Sequence, residues 1–443
     1  MRIVHLVGWY FPDSVGGSEV YVQELCRRQR SRGIDVQVAA PRTGEPSHGS
    51  QYVHDGVSVF RYAVQAVPAR DEAQGREPFR GHEVLRAWLE QVRPDVLHVH
   101  SLGTGIGLDT LEAARALGAR IIFTAHLPAL GFLCQRGTLL RWGTEPCDGL
   151  VDVQRCAACA LEDRGAPRPL AHAMALAGRS VTFAATLPGR AGTAFGMPAL
   201  IEWNLHRQRR LLDLIDRFVV LNERARAIVL ANGGIADKVV VNRLGVGFTR
   251  ASRRETRAEG APVRVGFVGR IHRTKGVAVL AKAVLALPRD VRLGVELRGP
   301  VDDPALLREL EDAAAQDARL TLGPSVRRAE VPDLLASYDV LCCPSSWFEN
   351  GPTVALEAQA VGTPVIGTDV GAMPEFITDG VNGRIVPAGD WRALRDALAG
   401  LARAPQVIEQ WRRALPRPRT MDDIAADYEA VYRQATPATA ISR

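Results

Sequence analysis

Short apolar runs closed by turn residues, each followed by a helical stretch, recur along the whole chain, and this alternation constrains its fold more than any other feature. Ile3 to Gly8 leads through WYFPDSVGGSE into VYVQELCRRQRSRG, Asp216 to Leu221 leads into RARAIVLANGG, and Val263 to Gly269 leads towards VAVLAKAVLAL. Strands that alternate with helices predict a parallel sheet. At 443 residues the chain is long enough for two such α/β domains with sizeable cores. The stretch FTRASRRETRAEGA, between Val246 and Pro262, is polar and has no apolar periodicity, so it reads as a linker. The expected organisation is an N-terminal domain over 1–245 with an irregular insert at 127–200, a linker at 246–262, a C-terminal domain over 263–417, and a terminal segment at 418–443 whose helix spans Met421 to Gln434.

Composition narrows the class of partner. With 47% hydrophobic and 23% charged residues the chain reads as soluble and globular. No run approaches the about 20 apolar residues needed to cross a bilayer. Ile3 to Trp9 carries His5 and lacks a basic leader, so it reads as a first strand and not as an export signal. Seven cysteines, an odd number, then argue for a reducing, cytoplasmic compartment. A net charge of +6 suits a polyanionic partner, yet no basic helix, aromatic stacking motif or nucleic-acid module accompanies it. Nucleic acid is therefore not expected. Phosphate-bearing ligands, or peripheral contact with the inner face of the cell membrane, remain.

The chemistry concentrates at Trp347 to Glu357, WFENGPTVALE. Asp339 to Pro344 reads as a buried strand, Pro352 suits a first helical position, and Gly362 ends the helix before Pro364. Strand, turn and helix in that order leave backbone N–H groups near 351–354 facing an anion at the sheet's carboxyl edge. Glu349 and Glu357 stand eight positions apart, one in the loop and one in the helix, so two carboxylates flank that anion site. Arg270 and Lys275, in the loop after Val263 to Gly269, add a bidentate fork and a mobile point charge where a diphosphate could be received. In the first half, Gly16-Gly17 permits close approach of backbone to ligand and Ser18 suits the cap of the next helix. The strand Arg120 to His126 ends in a histidine where open α/β sheets place their ligands. His98 and His100 share one face of a strand, but without a third ligand in evidence they read as polar residues at a strand end. Arg207, Arg209 and Arg210, on a helix expected from about Pro198, read as a solvated face, with anionic lipid or a phosphorylated acceptor as the alternative.

Glu349-x7-Glu357, with Gly269-Arg270-x4-Lys275-Gly276 and Gly16-Gly17-Ser18-Glu19, resembles the retaining glycosyltransferases of family 4. The resemblance covers nearly the whole chain and is weakest at 127–215. It implies the GT-B fold, two Rossmann-like domains facing a cleft, with the acceptor on the N-terminal domain, a nucleotide-diphosphate sugar donor on the C-terminal one, and a last helix that crosses back. It further implies that Glu349 lies against the donor sugar and Glu357 holds the ribose hydroxyls. Asn350, Gly351, Pro352 and Thr353, with Gly16 and Gly17, would bind sugar and diphosphate. Arg270 and Lys275 would hold the pyrophosphate, and His126 would stand near the reacting centre. Leu127 follows His126 where the family often has Asp. Transfer with retention to a sugar or lipid-linked acceptor is the implied activity, in polysaccharide or glycoconjugate assembly.

No Asp-x-Asp occurs in the chain, which argues against the metal-dependent GT-A alternative and for catalysis without a metal. A GT-B sugar epimerase and a non-catalytic nucleotide-sugar-binding module are the competing readings. A dinucleotide oxidoreductase is remote, because neither domain offers GxGxxG followed by an acidic residue. Cys134, Cys147, Cys156 and Cys159 fall within 26 residues. Four thiolates suit tetrahedral zinc, and Cys156-Ala-Ala-Cys159 is a common half-site, although the other gaps are irregular. Iron–sulfur ligation lacks its usual spacings, and unligated buried thiols are the remaining alternative. A subset of family 4 looks similar here. A structural zinc ion is expected, pinning a lid or acceptor loop, since four cysteines leave no open catalytic position.

Overall fold

The computed structural model describes residues 1–434 apart from 15, 104, 181–188, 249–257 and 259, with only the backbone of 179 and 180. Most of the linker expected at 246–262 lies outside the described residues, as does part of the insert. The chain forms two compact units. One is built from 1–143, 147–243 and the helix Met421–Gln434, the other from 144–146 and 244–420.

The first unit holds an eight-stranded sheet in the spatial order Val239–Val241, Arg217–Val220, Arg120–Thr124, Val96–Val99, Arg2–Leu6, Asp35–Thr43, Val57–Val64, Ser50–His54. All neighbours run parallel except the last pair, an antiparallel hairpin turning at Asp55-Gly56. The inner strands are almost wholly buried, as expected of parallel strands covered by helices on both faces. Arg61, itself 1% exposed, reaches from its strand to the carbonyls of Tyr10 and Phe11 and to the Asp13 carboxylate, which anchors the loop leading to Gly16. In Met421–Gln434 the residues Met421, Ile424, Ala425, Tyr428, Val431 and Tyr432 recur at helical spacing and are all buried. That stripe carries the two tyrosines into the first unit's core.

The insert forms helices Val153–Asp163, Arg168–Ser180 and Gly189–Leu214, which meet through small side chains, among them Ala157, Ala158, Ala171, Ala175 and Ala194. Its last helix begins nine residues before the expected start and runs through Pro198. One lost backbone bond does not end a helix whose packing continues on both sides, through Ala194, Met197 and Ile201. No helix among the described residues is long and apolar enough to cross a membrane.

The second unit holds six parallel strands in the order Leu320–Gly323, Leu293–Arg298, Val263–Val268, Val340–Cys343, Val365–Thr368, Gly383–Val386. The chain starts at the centre, builds outward to Leu320–Gly323, then returns to the other side of Val263–Val268. The carboxyl ends of Val263–Val268 and Val340–Cys343 thus flank a topological switch point, where open α/β sheets bind ligands. Trp391–Arg403 packs Leu394, Leu398 and Ala399 into this core and starts at Asp390, whose side chain accepts from the N–H groups of Arg392 and Ala393.

Candidate functional site

In the second unit the two loops at the switch point lock together through backbone. Gly276 has φ +74°, and a Cβ there would lie 1.9 Å from the carbonyl oxygen of Pro344, so only glycine fits. Ser346 N–H donates to the Thr274 carbonyl at 2.9 Å across the same seam. This brings Lys275 and Glu349 together: Lys275 Nζ donates to Glu349 Oε1 at 2.6 Å, and Ser345 Oγ donates to the same oxygen at 2.6 Å. Glu349 is 7% exposed, and the indole of Trp347 stands 5.3 Å from the ammonium. Behind Glu349, the turn at Gly371, φ +60°, comes so close that a Cβ would sit 2.3 Å from the glutamate's carbonyl oxygen, which accepts from Ala372 N–H at 2.8 Å. Burial pushes the neighbouring Cys343 thiol up to about 12, the Glu349 charge adding to it and Lys275 opposing, so the thiol stays neutral.

The helix after Glu349 spans Thr353–Ala360, with Pro352 as its N-cap and not its first residue, and no side chain caps it. Its first N–H groups are therefore open to an acceptor. Asn350 is buried, and a Cβ on Gly351 would collide with Leu244. Glu357, 3% exposed, is gripped by both terminal nitrogens of Arg328, Nη1 donating to Oε2 at 2.9 Å and Nη2 to Oε1. In the sequence Arg328 is marked only as one of a basic pair, Arg327-Arg328, in a polar loop. Glu349 and Glu357 thus belong to separate hydrogen-bond systems. Arg270 does not join Lys275. Its half-exposed guanidinium meets Asp302 at 3.5 Å.

In the first unit the helix Gly17–Ser31 is capped by Gly16, which displaces Ser18 from the expected cap; Ser18 Oγ instead donates to Glu19 at 2.9 Å, as does Ser14 Oγ. A Cβ on Gly17 would meet nothing within 4 Å, so the protein itself does not demand glycine there. His126 ends a chain of histidines. Its Nε2 lies 2.9 Å from His100 Nδ1, and His100 Nε2 lies 2.9 Å from His5 Nδ1. His5 Nε2 meets Gln29 Oε1 at 2.8 Å, while Gln29 Nε2 donates to Tyr432 OH. With the amide in that orientation His5 must donate from Nε2, and each ring in turn carries its proton on Nε2. His98 bridges Tyr432 OH at 2.7 Å and Thr124 Oγ1 at 2.8 Å, and Thr124 Oγ1 continues to Tyr428 OH at 2.9 Å.

Burial holds His5 and His126 down at about 4 and His98 and His100 well below their ordinary value, so the network is neutral. The third histidine that His98 and His100 lacked in sequence is His5, and the three present ligand atoms within 4.8 Å of one another. All six of their ring nitrogens are already hydrogen-bonded, so they form a proton-ordered core and not a vacant metal site.

Among the described residues the four insert cysteines form no such group, and all are free. They do line one small cavity of about 40 Å³. Gly149 N–H points at the Cys147 sulfur and Trp142 N–H at the Cys159 sulfur, each at 3.5 Å. Arg207 departs from the solvated face expected of it: it is 9% exposed, whereas Arg209 is exposed and Arg210 pairs with Glu112 at 2.9 Å.

The second unit thus places a basic and an acidic side chain on the loops beyond a switch point. The family model for glycosyl transferases group 1 matches residues 248–415, and that for glycosyltransferase family 4 matches 15–173. Both models describe glycosyltransferase domains. Among curated relatives, D-inositol 3-phosphate glycosyltransferase of Mycolicibacterium paratuberculosis is 35% identical over 210 residues, 45% of this chain and 47% of that one. Its counterpart in Mycobacterium tuberculosis strain F11 is 31% identical over 235 residues, 51% and 47% respectively. The chain spans about half the length of the curated relatives it matches. Among solved structures, sucrose-phosphate synthase from Thermosynechococcus elongatus superposes with TM-score 0.67 at 18% identity, covering 99% of this chain and 100% of that one. Anabaena HepE in complex with UDP and glucose superposes with TM-score 0.60 at 12% identity, covering 98% and 100%. At those identities the likeness is one of fold.

Proposed function

We propose that the protein transfers a sugar from a nucleoside diphosphate to a hydroxyl acceptor, with retention at the anomeric carbon. The observation that carries this reading is the Lys275–Glu349 pair, 2.6 Å apart at a switch point and followed by an uncapped helix start. Cleaving the anomeric C–O bond leaves charge on the diphosphate. Lys275 has three N–H donors, of which Glu349 takes one, so the others can meet a phosphate oxygen together with the first N–H groups of Thr353–Ala360. Glu349, fixed by Lys275, Ser345 and the Gly371 turn, would orient the sugar. Glu357, held rigid by Arg328, would take the ribose hydroxyls. The acceptor oxygen forms the new bond to the anomeric carbon, and its proton passes to the departing phosphate oxygen. These donors would do what a divalent ion does elsewhere, so activity without added metal is part of the proposal. A UDP complex of a protein with this fold makes uridine a first donor base to try.

A thermal-shift panel of UDP, GDP, ADP and TDP tests the donor half. One base at a hundred times its Kd is expected to add about 2.7 kcal/mol, or about 3 °C for a chain of this size. Product analysis with the matching sugar donor then separates transfer from epimerisation. No shift with any base, or a changed donor sugar with no acceptor consumed, would sink the proposal.

A second reading concerns the four cysteines, for which we propose a structural zinc ion. Supporting it are four thiols that line one small cavity and two backbone N–H groups aimed at sulfur, which favour thiolate. Without a metal, burial pushes the Cys156 thiol up to about 11, so that thiol is protonated and its closing on zinc would release a proton. Purified protein is expected to carry about one zinc per chain, and a strong chelator to lower its melting temperature. Metal-free protein with four readily alkylated thiols and an unchanged melting temperature would show them to be unligated.

A further inference from the structure

The first unit contains a cavity of about 420 Å³ lined by four arginines, Arg70, Arg76, Arg164 and Arg207, and by no carboxylate. Three of them are exposed at its rim. Arg76 lies 5.0 Å over the Trp203 ring, and Arg164 donates to the Ala160 carbonyl at 2.9 Å. Arg207 is different. It is 9% exposed and its guanidinium is clamped between the Phe132 ring, 3.9 Å away, and Gly75, where a Cβ would come within 2.5 Å of Nη2. Its hydrogen bond to Asn204 Oδ1 is a long 3.3 Å, its Nε has no partner, and no carboxylate among the described residues pairs with it. Asp109, the one acid whose charge it feels, is taken up by His82 at 2.9 Å. Burial lowers Arg207 to about 10, which still leaves it charged at neutral pH. A buried, charged guanidinium without a counter-ion is costly, and the usual completion of such a site is an anion received on the fork.

We propose that this cavity is the acceptor site and that the acceptor carries a phosphate or carboxylate group, which Arg207 receives while the rim arginines attract it. This rests on the transfer reading above and names the acceptor class that reading left open. The volume lies in the range of small-ligand pockets and suits a sugar or polyol unit with its charged group. Neutral sugars would leave Arg207 unpaired and are expected to bind poorly.

The test is thermal shift of the full chain with glucose 6-phosphate, inositol phosphate, glucuronate and glucose, in low salt. One of the anions is expected to raise the melting temperature and glucose not to; which anion does so separates phosphate from carboxylate. Arg207→Gln is expected to abolish that shift, and Lys275→Ala to keep it. Should Arg207→Gln fail to fold, the rim variant Arg76→Ala/Arg164→Ala is expected to weaken the anion about tenfold, through the loss of two attracting charges. Equal protection by glucose, no protection by any anion, or an anion shift that survives loss of these arginines would overturn the proposal. Nucleoside diphosphates run alongside keep the two readings apart. An anion shift without any nucleotide shift removes the transfer reading and leaves the pocket, and the reverse removes the pocket alone.

Discussion

Lys275→Ala is expected to slow the proposed sugar transfer by about 10²–10³-fold, the usual cost of removing one preorganised group that stabilises developing charge. The ammonium is held by Glu349 at 2.6 Å and faced by Trp347, so its position is set before any donor arrives. The same pair also has a structural role, and the two must be separated. Removing Lys275 alone leaves the Glu349 carboxylate, 7% exposed, with Ser345 as its hydrogen-bond donor, which is expected to cost about 1–3 kcal/mol of stability. Lys275→Met/Glu349→Gln removes both charges and is expected to recover most of that stability while remaining inactive. A double variant as active as it is stable would reduce the pair to a salt bridge. Arg270→Ala is expected to cost less, about tenfold, because its guanidinium is half-exposed and engaged by Asp302. A loss equal to that of Lys275→Ala would mean that Arg270 leaves Asp302 when the donor binds.

The second large effect is on stability against acid. His5 and His126 are held near 4, against about 6.5 in an unfolded chain. Between those values the unfolded chain takes up protons that the folded one refuses, so stability is fully present above about pH 6.5 and is lost as pH falls towards 4. One such histidine contributes about 3 kcal/mol to that loss. His98 and His100, depressed in the same direction by burial, steepen it. Urea unfolding at pH 7, 6 and 5 is the measurement. His5→Asn is expected to be less stable at pH 7, because Gln29 and His100 lose their partner. Its pH dependence should nevertheless be shallower, by up to about 1.4 kcal/mol per pH unit. An unchanged slope would mean that His5 does not sit neutral in the folded core.

Local signals were legible because they depend on neighbours in sequence. The parallel strands, the helix Met421–Gln434 and the stop of the helix after Glu349 before Gly362 all follow from residue type and period within a dozen positions. Where a local rule met a competing contact it failed. Ser18 yielded the cap to Gly16 because its hydroxyl was taken by Glu19, and Pro198 did not start its helix because the alanine-rich packing extends to both sides of it.

The sequence by itself determined that two βα repeats would form, that one of them would carry Glu349, Glu357, Arg270 and Lys275 on loops beyond its strands, and that four cysteines would share one insert. Which of these groups touch was decided only by the tertiary structure. Lys275 meets Glu349 across 74 positions, His5 meets His100 across 95, and Tyr432 meets His98 across 334. Arg328 became the partner of Glu357 in the same way, and Arg207 turned from a surface charge into a buried one because Phe132 and Gly75 closed over it. Spacing along a chain specifies the faces of an element, whereas a charge is paired, orphaned or neutralised by whatever the packing of distant elements brings within about 3–4 Å.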